Sequence, residues 1–195
     1  MQYEQVHYMV DKIFALYEEY GQEAYNEEAT MLAHMMKCAR LAEEDGYDDE
    51  MIVAAFLHDV GHFLELTKKS AHKDIDHDEL GARYLQELGF PCRIAELVSG
   101  HIAVKRFLTF TNPAYYNNLP DTGKLSLKNY GGPMNWDEAI VFCKQPLLSR
   151  YIQLSYWDDN AKNATIKVGD EDIWRMKEIT TRYLISQVES PIAYV

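Results

Sequence analysis

An all-α fold is what this sequence predicts, and three observations predict it. Apolar residues recur at three- and four-residue steps over several stretches, the spacing that lines them up on one face of a helix. No sustained alternation of apolar and polar residues marks a strand. Asp, Pro and Gly residues, the usual start and stop signals of helices, bracket several of the periodic stretches.

Taken in order, the first helix is expected from Tyr3 to Glu19, carried by Val6, Met9, Val10, Ile13, Phe14 and Tyr17. The second is expected from Glu28 to Glu44, carried by Leu32, Met35, Met36, Ala39 and Ala42. Asp48 and Asp49 precede the apolar run Met51 to Leu57. They would cap and charge-complement a buried helix from about Glu50 to Phe63. Asp76 to Leu88 reads as a helix stopped by Gly89, and Pro91 to about Gly100 as one begun by a proline that fits a first turn. From about Phe107 to Asp137 the pattern changes, with Pro113, Pro120, Gly123, Gly131, Gly132 and Pro133 set among Asn and Tyr. That composition predicts loops and short turns, and a long loop in a compact domain is usually functional. Helical pattern returns from Pro146 to Lys162 and from Glu171 to Ser190. No internal repeat or low-complexity linker divides the chain, so residues 1–195 read as one domain.

Composition narrows the functions. The chain has 195 residues, 47% of them hydrophobic, enough to bury ~70% of its unfolded surface. Lys+Arg 19 against Asp+Glu 31 gives a net charge of −12, which repels a phosphate backbone, so no nucleic-acid partner is expected. The longest apolar run is Met51 to Leu57, far short of the about 20 residues that span a bilayer, and the start of the chain lacks a basic signal-peptide pattern. No membrane partner is expected, and the location is expected to be cytoplasmic. Cys38, Cys92 and Cys143 form no CxxC pair, which argues against a disulfide framework or a thiolate zinc site. Metal chemistry therefore falls to His and carboxylates.

Five of the seven histidines, His34, His58, His62, His77 and His101, stand in helical or helix-end contexts beside carboxylates or on apolar faces. His7 and His72 read as surface residues. Taken alone, a buried His34 would more often be a satisfied hydrogen-bonder of the core. The adjacent pair His58-Asp59 changes that reading, because two ionisable groups interrupt what should be a buried helix and require a strong partner. His62 follows four residues later, on the same face if the helix continues. Imidazole and carboxylate without thiolate suit iron, manganese, zinc or magnesium, and Asp59 can bridge two ions where a neutral imidazole cannot.

The pattern of His34, His58-Asp59 and a late Asp158 resembles the HD-domain superfamily of metal-dependent phosphohydrolases and diiron oxygenases. His77 and His101 occupy the places that mark its two-metal members. His77 followed by Glu79, Gly81-Ala82 and Leu85, Ser99-Gly100-His101 followed by Lys105-Arg106, and Gly131-Gly132-Pro133-Met134 are similar to the 2-amino-1-hydroxyethylphosphonate dioxygenase branch and its relative acting on the trimethylammonio substrate. The resemblance covers about Tyr25 to Lys162. It implies an HD-domain helical bundle with a long functional loop. One iron would be held by His34, His58, Asp59 and Asp158, with Asp159 as a fallback for Asp158, and a second by Asp59, His77 and His101.

Tyr25 and Glu27, or Glu28 in its place, match a Tyr and Glu ahead of the first His, the Tyr holding the substrate-binding iron until substrate displaces it. His62 and Lys105 match positions facing the phosphonate, and Ser126 a hydroxyl donor. The implied cofactor is a mixed-valent Fe(II)/Fe(III) pair with O2 as co-substrate. The implied partner is a small organophosphonate, cleaved at its carbon–phosphorus bond to phosphate plus glycine betaine or glycine. The alternative within the superfamily is a phosphohydrolase acting on a nucleotide or other phosphomonoester. Departures fall on the substrate side: Gly123 stands where a Ser is expected, Tyr130 where a Gln is, and Ser155 where an Arg is. Tyr115, Tyr116, Tyr130 and Trp157 would suit a quaternary ammonium by cation–π contact, which favours the trimethylammonio substrate.

Overall fold

The computed structural model describes residues 3–67, 76–162 and 164–189. His72 lies outside the described residues; His7 is exposed, as expected. Eleven helices make up the described residues, with one isolated bridge between Ala24 and Thr30. They are α1 (Tyr3–Tyr20), α2 (Met31–Glu44), α3 (Asp49–Leu57), α4 (Val60–Leu66), α5 (His77–Leu88), α6 (Cys92–Thr111), α7 (Pro113–Asn118), α8 (Asp121–Asn129), α9 (Trp136–Phe142), α10 (Leu148–Ala161) and α11 (Asp170–Glu189). None is long and apolar enough to cross a membrane. One hydrophobic cluster runs from Val6 on α1 to Leu184 on α11.

The core helix is α3, in which every residue from Met51 to Leu57 is buried. It starts where Asp48 accepts a hydrogen bond from the Met51 amide at 3.0 Å, satisfying an amide that has no partner within the helix. Around it α2, α6, α10 and α11 pack directly. This places the end of α3 in the middle of the molecule, and that end carries His58 and Asp59.

Four expectations are corrected. The helix expected from Glu50 to Phe63 divides at His58 and Asp59, where Asp59 takes φ −105°, ψ 15°. His62 therefore does not share one continuous helical face with His58. The second helix starts at Met31 because Thr30 caps it, accepting from the Ala33 amide at 3.2 Å. Before it, Asn26 Oδ1 accepts from the Glu28 and Ala29 amides and holds a turn. The helix begun at Pro91 does not end at Gly100 but runs to Thr111. Gly100 is kept in it by close packing, since a Cβ there would lie 2.3 Å from the Tyr151 ring.

The stretch read as loops and short turns instead forms the three short helices α7, α8 and α9. Local caps explain two of them. Asn112 accepts from the Ala114 and Tyr115 amides with Pro113 in the first turn of α7, and Asn135 and Glu138 form a reciprocal capping box on α9. Gly131 and Gly132, at φ 93° and 75°, make the sharp turn after α8 that residues with a Cβ rarely adopt.

Candidate metal centre and its cavity

Six predicted ligands from five helix segments converge on one buried point. His34 comes from the first turn of α2, His58 and Asp59 from the α3–α4 break, His77 from the start of α5, His101 from the middle of α6 and Asp158 from α10. All six are buried. Two glycines bring α5 in: a Cβ on Gly61 would sit 1.8 Å from the His77 carbonyl oxygen, and one on Gly81 would sit 3.0 Å from the Gly61 amide. Without side chains at that crossing, α4 and α5 approach closely enough for His77 to face Asp59.

The ligands divide into two sets that share Asp59. Its Oδ2 lies 3.2 Å from His58 Nε2 and 3.5 Å from His34 Nε2. Asp158 Oδ1 completes this set, 3.1 Å from His34 Nε2 and 3.7 Å from His58 Nε2. The other oxygen, Oδ1, faces His101 Nε2 at 3.5 Å and His77 Nε2 at 3.7 Å. One carboxylate thus turns one oxygen to each set. His58 is oriented by its own helix, since its Nδ1 meets the Ala55 carbonyl at 2.8 Å.

The electrostatics of the two sets differ. Burial opposes charge on His58, but Asp59, with Asp158 behind it, outweighs burial and lifts its pKa to about 10. Burial holds His77 down to about 4 and His101 well below the usual imidazole range, with Lys105 also pushing His101 down. Both shifts favour the neutral form, in which imidazole binds metal. Among the described residues, Asp59 Oδ1 and His77 Nε2 are buried without a hydrogen-bond partner. A polar atom in that condition is costly unless an ion meets it. The donor set of imidazoles and carboxylates without thiolate suits iron, manganese or zinc. Cys38, one turn after His34, lies within 4.8 Å of ring nitrogens of His34 and His58, and burial pushes its thiol well up, so it stays a neutral packing group.

A cavity of about 730 Å³ opens over the second set, and its wall includes Tyr25, Glu27, Glu28, His62, Lys105, Ser126 and Tyr130. Tyr25 stacks on His34 with centroids 3.8 Å apart and planes at 8°. His62 stacks on His77 at 4.0 Å, and its Nδ1 is 2.8 Å from Glu65 Oε2. Lys105 is more engaged than a pure anion contact would be, lying 2.5 Å from Asp158 Oδ2 and 3.0 Å from His101 Nε2.

Asp158, not Asp159, reaches the centre; Asp159 accepts from Tyr115 Oη at 2.6 Å and pairs with Lys162. The expected aromatic cage does not assemble. Trp157 is buried, donating to Asp45 Oδ2 at 2.7 Å and packing on Tyr47, while Tyr116 is exposed under Lys124. Of the four, Tyr130 alone is among the cavity-lining residues. Sequence reasoning missed Asp78, whose buried carboxylate accepts from the Glu79 amide and, at 3.4 Å, from the Ile102 amide, tying the neighbours of His77 and His101 together. Its signal was a second adjacent His-Asp pair, His77-Asp78. Also unforeseen were Asn26 and Lys162 in the cavity wall.

A family model for the HD domain matches residues 31–118, a span that includes all the converging ligands except Asp158. The chain is 37% identical over 166 residues to a [1-hydroxy-2-(trimethylamino)ethyl]phosphonate dioxygenase (glycine-betaine-forming) of Leisingera caerulea, covering 83% of this chain and 84% of that one. It is 34% identical over 165 residues to a hydroxymethylphosphonate dioxygenase of Gimesia maris, covering 83% and 82%. It is also 36% identical over 177 residues to an uncharacterised protein of Acanthamoeba polyphaga mimivirus, covering 88% and 81%. The chain belongs to the HD-domain family, and its buried His/Asp cluster fits metal binding. Within that family it stands with the phosphonate dioxygenases.

Proposed function

We propose that the protein, as one domain, is an O2-dependent diiron oxygenase that cleaves the carbon–phosphorus bond of a 1-hydroxyalkylphosphonate. The leading substrates are 1-hydroxy-2-(trimethylammonio)ethylphosphonate and 2-amino-1-hydroxyethylphosphonate. The observation that carries this reading is the sharing of Asp59 between two histidine sets on the floor of a cavity that also holds Lys105 and His62. The names of the two curated relatives support a phosphonate and dioxygen in preference to hydrolysis of a phosphoester. The overall reaction balances: a hydroxyphosphonate dianion and O2 give a carboxylate, hydrogen phosphate and one proton.

His34, His58, Asp59 and Asp158 would hold one iron, and Asp59, His77 and His101 the other. Two irons so held supply the electrons and the open coordination position for reaction with dioxygen. Lys105 and His62 bind the phosphonate and keep hold of the leaving phosphate, because cationic donors make the strongest hydrogen bonds to such oxygens. With its Nδ1 tied to Glu65, His62 has Nε2 left to meet the anion. Ser126 adds a hydroxyl donor. Tyr25, which lines the cavity and stacks on His34, would be the group that substrate displaces, and burial pushes its hydroxyl pKa up. Glu27 and Glu28 place negative charge in the same cavity as Lys105. A substrate with an anionic and a cationic end suits that arrangement, with Glu27 favoured at the ammonium because Glu28 also borders a second groove beside Thr30.

The test is metal content and EPR on protein from iron-fed cells, partly reduced, with and without 1-hydroxy-2-(trimethylammonio)ethylphosphonate. O2 uptake, phosphate and glycine betaine are measured alongside. Two irons per chain, a mixed-valent signal changed by substrate, and matched product yields are expected. Manganese or zinc, no O2 uptake and hydrolysis of a phosphomonoester would replace the reading with a phosphohydrolase.

A further inference from the structure

The metal-set histidines differ in what holds their outer ring nitrogens. A ligating His is usually held by a hydrogen bond from the nitrogen that does not bind the metal, which sets its tautomer and aim. His58 has a partner built into its own helix, the Ala55 carbonyl. Among the described residues, His34 Nδ1 and His101 Nδ1 are buried without one. His77 sits at the first residue of α5. Its Nδ1 instead lies 3.4 Å from Tyr130 Oη, with the two rings edge to face at 6.1 Å.

Tyr130 is itself firmly placed. It ends α8, and its amide returns to the Ser126 carbonyl. The turn after it is clamped from α6: Arg106 Nε donates to the Gly132 carbonyl at 2.9 Å, and its guanidinium pairs with Glu138 at 2.8 Å. The Met134 amide donates to the Arg106 carbonyl. Both glycines of the turn have positive φ, and a Cβ on Gly131 would approach the guanidinium at 3.6 Å. Lys105 and Arg106 are adjacent on α6, so one residue faces the cavity while the next fixes the segment that crosses it. Tyr130 is also part of the cavity wall.

We propose that Tyr130 is a positioning residue for His77. Its hydroxyl oxygen accepts the Nδ1–H, fixing the tautomer whose Nε2 lone pair points toward Asp59 Oδ1, and the Arg106 clamp keeps the hydroxyl in place. Tyr130 thereby joins the substrate cavity to the second metal set. The inference rests on the reading of His77 as a ligand of the second ion.

The test uses iron-loaded protein and follows release of the two ions to a chromogenic ferrous chelator under anaerobic reducing conditions. Tyr130→Phe keeps the ring and removes the acceptor. It is expected to release the second ion about 10- to 100-fold faster, the usual effect of losing a ligand's outer partner. The first ion and the melting curve should be unchanged. His77→Ala is the control and is expected to hold one ion per chain. If it holds two, the ligand assignment itself falls, and this inference with it. If His77→Ala loses the second ion while Tyr130→Phe releases it at the wild-type rate, only the positioning role is overturned. A raised KM with wild-type release would likewise overturn it and make Tyr130 a substrate contact alone. Should Tyr130→Phe lose its cooperative melt, Arg106→Gln, which frees the turn without touching the ring, is expected to speed release of the second ion, and wild-type release from it would overturn the clamp.

Discussion

Asp59 carries more of the site than any other residue, because its two oxygens face different histidine sets. Asp59→Ala is therefore expected to remove both ions and all turnover, whereas His58→Ala strips a ligand from the first set alone. Metal analysis of both variants checks this, and two ions per chain in Asp59→Ala would contradict it. Lys105 lies at the boundary between centre and cavity. Its replacement by Ala removes a charge-assisted hydrogen bond to the anion, worth about 1.5–3 kcal/mol, so KM should rise roughly 10- to 100-fold. Metal content should hold, since Lys105 donates and is no ligand. An unchanged KM would count against its role.

Helix placement decides which of these residues can meet. The Gly61 and Gly81 crossing sets the distance between α4 and α5. Gly61→Ala would place a methyl group into the His77 backbone, where backbone cannot yield as a side-chain tip can. A destabilisation of about 1–3 kcal/mol or more follows from overpacking. Binding of the second ion should weaken as His77 moves from Asp59, and a melting curve with metal stoichiometry reads both. At the start of α3, Asp48 caps the helix and also meets Arg150 of α10 through two bonds at 3.0 and 2.7 Å. Asp48→Ala is expected to cost about 1–2 kcal/mol from the cap, the exposed pair adding little.

The bond to Arg150 holds the Asp48 carboxyl below its usual range. Its folded pKa is thus lower than its unfolded one, so its contribution is present above the unfolded pKa and is lost as pH falls through the folded value. Asp48→Ala should therefore lose less stability than wild type on acidification below about pH 4, measured as Tm against pH.

At the scale of the molecule, the centre is a stability element as well as a site. Two buried carboxylates, Asp59 and Asp158, face one another's histidines at the junction of α2, α3, α6 and α10. An ion bound only by the folded state adds stability according to its affinity. A chelator should lower the Tm of the loaded protein, and iron(II) should restore it. An unchanged Tm would show that the helices close without help from the metal.

Much of this was legible in the sequence because it depends on local spacing. The all-α class, the caps at Asp48 and Gly89, and the buried run Met51 to Leu57 follow from periodicity and end signals that act within a few residues. The clustered residues were legible for a different reason: ionisable groups set in apolar helices demand a partner, and the His34, His58-Asp59, His77, His101 and Asp158 pattern resembles a family motif. The α7 to α9 segment was misread because Pro and Gly weigh against helix in any composition argument, while Asn112 and Asn135 cap short helices there one residue at a time.

Three further features came only from the tertiary structure. Asp159 turns to Tyr115 and Lys162 because α10 packs against α2 and α6 with the Asp158 side inward. Trp157 turns to Asp45 and leaves the cavity. Tyr130 reaches His77 across 53 positions of sequence. Those choices depend on which face of each helix meets its neighbours, and close packing at Gly61, Gly81 and Gly100 settles that through contacts between residues far apart in the chain.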